Sequence, residues 1–166
     1  MQMKRLLLMA GVAVVAALVF TAYQERVHRD EQEIASSAAL EKGMSQFRDE
    51  QYKAALETLN GIQGTYVNDW RIPYYAGSSL IKLKDYQGAA PRLERARELN
   101  PQEENVLFAL GVVYYKLGNL SLSRGYFAAV LEINPGHEEA RGLMDIMAGL
   151  ERYNRKDDVG KDKQGS

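Results

Sequence analysis

The stretch that decides the fold is ENVLFALGVVYYKLGNLSLSRGYFAAVLEINPGH, residues 104–137. Its Gly111 is the last of three glycines, Gly43, Gly77 and Gly111, spaced 34 residues apart. Twelve residues beyond each lies Ala55, Ala89 or Ser123. Four further on come Leu59, Leu93 and Phe127, and three beyond those Ile62, Ala96 and Val130. Pro101 and Pro135 are also 34 apart, each after an Asn, while Val67 holds that place in the first unit. A small residue on a first helix lets a second pack closely. The apolar residues of the second helix return at three- and four-residue steps, one helical face. Proline then stops it and sets the turn to the next unit. One such pair cannot bury its apolar face alone, so about three must stack.

This pattern resembles the tetratricopeptide repeat (TPR), a helix–turn–helix family. Leu107, Leu110, Gly111, Tyr114, Gly118, Ser123, Phe127, Val130 and Pro135 match it in unit 104–137. Unit 70–103 matches through Gly77, Leu80, Tyr86, Ala89, Leu93, Ala96 and Pro101. It departs at Pro73, read as a helix starting one turn late, and at Pro91, expected to kink or weaken its helix. Unit 36–69 is loosest, keeping Gly43, Tyr52, Ala55, Leu59 and Ile62. The resemblance implies an all-α fold. The expected architecture is a right-handed helix–turn–helix solenoid of three TPR-like repeats plus a C-terminal capping helix, and the apolar N-terminal run adds the expectation of one transmembrane helix before it.

The helix expected over 138–153 carries Ala140, Leu143, Met144, Met147 and Leu150 on one face and covers the last unit. The tail, 154–166, is polar and expected to be disordered. At the other end, a short basic start (1–5) precedes an apolar run, Leu6 to Phe20, which Thr21, Ala22 and Tyr23 extend to 18 residues. At about 1.5 Å per residue it spans roughly 27 Å, enough for a bilayer core. Lys4 and Arg5 with the free amine favour a cytoplasmic N-terminus, although each near flank holds two Lys or Arg. A cleaved signal peptide and a buried core helix are the alternatives. The first is disfavoured because Phe20 would stand at −3 for a cut after Ala22. Residues 24–35, charged and free of Gly and Pro, extend the helix as a stalk.

Composition excludes several chemistries. Of 21 basic and 22 acidic residues, two basic ones lie in the first 23, leaving 19 against 22 and a net charge of −3 beyond them. That argues against nucleic-acid binding. The chain has no cysteine, hence no disulfide, thiolate metal site or cysteine nucleophile. Its two histidines, His28 and His137, have no histidine neighbour, and His137 with Glu138 reads as a solvated helix start. Gly61 and Gly64 lack the following Lys of a phosphate loop, and Ser121 and Ser123 lack a nucleophile-elbow setting. Asp49 with Glu50 and Glu103 with Glu104 read as solvated helix ends. The chain is read as no enzyme, with no cofactor and no metal.

Binding is what the resemblance implies. The family's inward positions fall on Ser37, Leu40, Met44 and Phe47; on Arg71, Tyr74, Ser78 and Ile81; and on Asn105, Phe108, Val112 and Tyr115. This mostly apolar groove suits an amphipathic helix or apolar peptide, with Tyr74, Phe108 and Tyr115 as anchors. Core burial of the same residues, or self-association through them, are the competing outcomes. Relatives that clamp chaperone carboxylates need Lys, Asn and Arg where this chain has Leu40, Met44, Tyr75, Asn105 and Ala109, so that clamp cannot form here. The expectation is a single-pass adaptor or scaffold for an envelope complex, in a bacterial inner membrane with its repeats in the periplasm. A cytoplasm-facing receptor and a soluble protein after signal cleavage are the alternatives.

Overall fold

The computed structural model describes residues 2–62, 64 and 68–162. For 2–14, 32, 151 and 153–162 it describes the backbone alone. Seven helices follow in chain order: α1 (Gln2–Arg48), α2 (Tyr52–Ile62), α3 (Arg71–Lys82), α4 (Tyr86–Leu99), α5 (Glu104–Lys116), α6 (Leu120–Ile133) and α7 (Glu138–Asp162). No strand occurs among the described residues. Each helix packs on the next, and α1 also touches α3 and α3 touches α5. First helices approaching first helices puts α1, α3 and α5 on the inner side of a curved stack.

The 34-residue glycines explain how each pair closes. A Cβ on Gly43 would meet Leu59 at 2.8 Å, one on Gly77 would meet Leu93 at 2.7 Å, and one on Gly111 would meet the Phe127 ring at 2.5 Å. Leu59, Leu93 and Phe127 are all fully buried. In the third pair the small residue facing the glycine helix is Ser123, whose hydroxyl donates to the Gly111 carbonyl at 2.8 Å.

The turns within the pairs repeat as closely. Glu50, Lys84 and Gly118 take positive φ, at 61°, 64° and 78°. Gln51, Asp85 and Asn119 each donate a backbone N–H back to Gln46, Leu80 and Tyr114, the six-residue closure of a Schellman motif. Only the third turn has the glycine that this conformation favours. Asp85 and Asn119 then cap their helices, accepting from the N–H of Gly88 at 2.9 Å and Leu122 at 3.2 Å. Gln51, one methylene longer, stands where the first unit needs such a cap.

Several expectations change. Pro73 does not mark a late start: α3 begins at Arg71, and Pro73 sits buried in its first turn, where a missing N–H costs no helical bond. Pro91 lies inside α4, which runs from Tyr86 to Leu99, with its ring exposed. The capping helix does not end at 153, because α7 stays helical to Asp162, through most of the tail expected to be disordered. Residues 163–166 and Val67 lie outside the described residues. The stalk is helical: α1 runs without a break through 24–35 into the first repeat. Among the described residues no helix is long and apolar enough to cross a membrane. The side chains of 6–14, half of the apolar run, lie outside them.

Gly111→Ala is expected to lower unfolding stability by about 1–3 kcal/mol, because the buried ring cannot retreat from the new methyl. Chemical denaturation of the two chains measures it. Gln51→Asp should raise stability by about 1 kcal/mol by capping α2, and an unchanged denaturation midpoint would refute the missing cap.

Candidate functional site

The inner face is built by the positions the sequence singles out, but they are not equally open. Leu40 is 3% exposed and belongs to the core with Leu59, Ile62, Ile72 and Ala76. Ser78 is buried too. Met44, Phe47, Arg71, Tyr74, Ile81, Phe108, Val112 and Tyr115 are half-buried, while Ser37 and Asn105 are exposed. The surface is therefore a shallow apolar floor with polar edges.

Aromatic rings pave its first half. Phe47 meets Tyr52 at 5.5 Å and Tyr75 at 5.4 Å, both edge-on. Tyr75 meets Tyr74 at 5.0 Å, and Tyr74 meets Trp70 at 5.7 Å. Such contacts fix the rings in place. The sequence reading left Tyr75 and Trp70 out of this floor. The signal available was the aromatic cluster of Trp70, just before α3, with Tyr74 and Tyr75 on it.

Phe108 is engaged elsewhere. Its ring lies 5.6 Å from Phe127 and stacks on His137 at 4.7 Å. His137 is no solvated helix start. Its Nδ1 accepts the Ala140 N–H at 3.2 Å and caps α7, and its Nε2 lies 3.8 Å from Glu104. Glu104 is likewise no solvated end, since it accepts from Asn134 at 2.9 Å. Phe108 thus holds α7 to the stack rather than standing open as an anchor. Val112 and Tyr115 pack against the same cluster from the inner side.

Two polar constellations tie the units together. Arg71 forks onto Asp69: Nη2 donates to Oδ2 at 2.7 Å, Nε to both oxygens at 3.0 and 3.2 Å, and the Arg71 backbone N–H to Oδ1 at 3.0 Å. Burial raises the Asp69 carboxyl, but these hydrogen bonds and the guanidinium charge outweigh it, so its pKa is lowered. The second joins units two and three. Glu94 on α4 accepts from Tyr114 on α5 at 3.1 Å, from Tyr126 on α6 at 2.7 Å and from Arg97 at 2.8 Å. Burial, then the bond to Glu94 and its charge, push the Tyr126 phenol up.

Among the described residues no group of three or more His, Asp or Glu could hold a metal ion.

The Asp69 shift has a defined sign. Its folded pKa is below the unfolded value of about 3.9, so its contribution is complete above that pH and lost as pH falls through the folded value. Asp69→Asn should therefore be less stable than the parent at pH 7, with the difference shrinking below about pH 3.9. Urea titrations at a series of pH values report it, and a constant difference would contradict the pairing.

Comparison with known proteins places the fold. Residues 80–147 match the tetratricopeptide repeat family model. The chain is 38% identical over 85 residues to a TPR repeat-containing protein of Methanocaldococcus jannaschii, a match covering 50% of this chain and 14% of that one. Across the curated relatives it matches, it spans only 14–17% of their length. The first TPR domain of Spaghetti (RPAP3), bound to an HSP90 peptide, superposes with a TM-score of 0.67 at 20% identity, over 70% of this chain and 93% of that one. YrrB, described as a TPR protein with an unusual peptide-binding site, gives 0.65 at 28% identity, over 71% and 61%. The described chain thus has the fold of solved tetratricopeptide-repeat domains, and its residues 80–147 match that family's repeat by sequence.

Proposed function

We propose that this protein is a non-enzymatic adaptor, held at a membrane by residues 6–23, whose inner face takes up a peptide or helix of a protein partner. The observation that carries the reading is the half-open apolar and aromatic floor of α1, α3 and α5, set between polar edges. Fold neighbours with peptides in hand support it: the Spaghetti domain holds an HSP90 peptide, and the second TPR domain of human RPAP3 holds an HSP70 peptide.

The chemistry of the partner differs from theirs. Leu40, Met44, Tyr75, Asn105 and Ala109 stand where a carboxylate clamp needs cations and amides, and Arg71 is already forked onto Asp69. The floor suits apolar side chains from an amphipathic segment rather than an acidic chain end. With Phe108 committed to α7, the anchoring contacts fall to Tyr74, Ile81, Val112 and Tyr115.

The anchor rests on the apolar run, whose 18 residues reach roughly 27 Å as a helix. Lys4 and Arg5 favour a cytoplasmic start, which supports a reading with the repeats on the far side of the membrane, the periplasm if it is a bacterial inner membrane, and the partner in an envelope complex.

A single cysteine at Gly165, in a chain with none of its own, tests the topology. A membrane-impermeant maleimide should label it in intact cells once any outer membrane is permeabilised. Labelling only after lysis would make it a cytoplasm-facing receptor. A mature mass short of the first 20-odd residues would make it a soluble, processed protein. A photo-crosslinking residue at Val112 or Tyr115 should trap a discrete partner that the same residue at exposed Ser121 does not. Equal trapping at both places would remove the inner face from the argument.

A further inference from the structure

The described side chains of α1 ahead of Ser36 stand clear of the solenoid. Every described residue from Val15 to Ala35 is exposed except Val27, which is half-buried. Phe20, Tyr23 and Ile34 are 60%, 63% and 72% exposed. These three and Val27 recur at steps of three, four and seven residues. That is a seam of a 3.5-residue period: Phe20, Val27 and Ile34 at the first core position of successive heptads, Tyr23 and Asp30 at the second. By sequence the same register continues back through Ala16, Ala13, Met9 and Leu6.

The seam does not face the repeats. Ser36, Leu40 and Gly43, the residues of α1 that are buried against the stack, lie about 120–180° around the helix from Ile34. Asp30, Glu33, Ile34, Ser37, Ala38 and Glu41 line an open groove on the surface of this one helix. In this register all six are core or core-flanking heptad positions.

We infer that α1 pairs with α1 of a second copy as a parallel two-stranded coiled coil over residues 20–34. Charge complementarity selects this occupant. Arg26 and Glu31 fall on the flanking positions that face each other across a parallel, in-register pair, and the two-fold axis makes the contact twice. Val27 and Ile34 place β-branched side chains at the first core position, as two-stranded coils do, but Tyr23 and Asp30 stand where such coils carry Leu. Asp30, at the second core position, brings two carboxylates face to face and costs the pair stability. The parallel direction rests on the anchor reading, since two N-termini in one membrane point the same way. The pairing leaves both inner faces free.

The test uses the full chain in detergent, oxidised with one cysteine at a time. Val27→Cys and Ile34→Cys should form disulfide dimers, and His28→Cys and Arg29→Cys should not. By light scattering, Ile34→Glu should give monomers that keep their helical circular dichroism, and Asp30→Leu should tighten the dimer at least tenfold. Cross-linking at 28 and 29 as strong as at 27 and 34, or dimers surviving Ile34→Glu, would overturn the proposal. Dimers lost on changing Tyr115 but not Ile34 would move self-association to the inner face and also overturn it. Cell fractionation reads the anchor separately: a chain in the soluble fraction that still cross-links at 27 and 34 would remove the anchor and leave the dimer.

Discussion

Everything in this stack depends on how closely two helices can cross. The distance is set three times by a glycine facing a large buried side chain: Gly43 with Leu59, Gly77 with Leu93, Gly111 with Phe127. A methyl at any of these glycines would sit at 2.8 Å or less from its partner, a separation that Cβ atoms do not tolerate. The crossing fixes where the second helix lies, and thereby the step to the next pair. A fault there propagates along a quasi-one-dimensional assembly, in which each unit is stabilised mainly by its neighbours.

The inner face follows from that packing. With α1, α3 and α5 on the inside of the curve, one stripe of each is left without a helix to cover it. The sequence places aromatic and aliphatic residues on the stripe, yet the structure shares them unevenly. Leu40 and Ser78 go to the interior, and Phe108 locks α7 through Phe127 and His137. What remains is a floor whose first half is held rigid by ring-to-ring contacts from Tyr52 to Trp70. A rigid floor loses little side-chain entropy when something docks on it.

The repeat was legible because period-34 glycines, small residues and prolines each have a local mechanical cause. The uneven parts were not, because their causes lie elsewhere in the chain. The pairing of Asp69 with Arg71 spans two residues, a spacing that never faces within a helix. It forms because Asp69 lies just before α3, outside helical geometry. The Glu94 cluster draws Tyr114 from 20 residues away and Tyr126 from 32. Tolerance of Pro73 and Pro91 turns on where the helix starts and which face is wet, and neither follows from the residue type. The extension of α7 to Asp162 sets helix propagation against polar composition, and the polar pattern alone pointed the other way.

The continuity of α1 has one more consequence, for azimuth. A helix that passes without a break from the apolar run into the first repeat is a screw, in which length and rotation are the same variable. Each residue added within 24–35 would lift the repeats by about 1.5 Å and swing the inner face by about 100°. Reach therefore cannot be tuned smoothly. An arm lengthened by one residue aims its binding surface in a new compass direction, and only additions near whole turns, such as seven or eleven residues, return it close to its original heading.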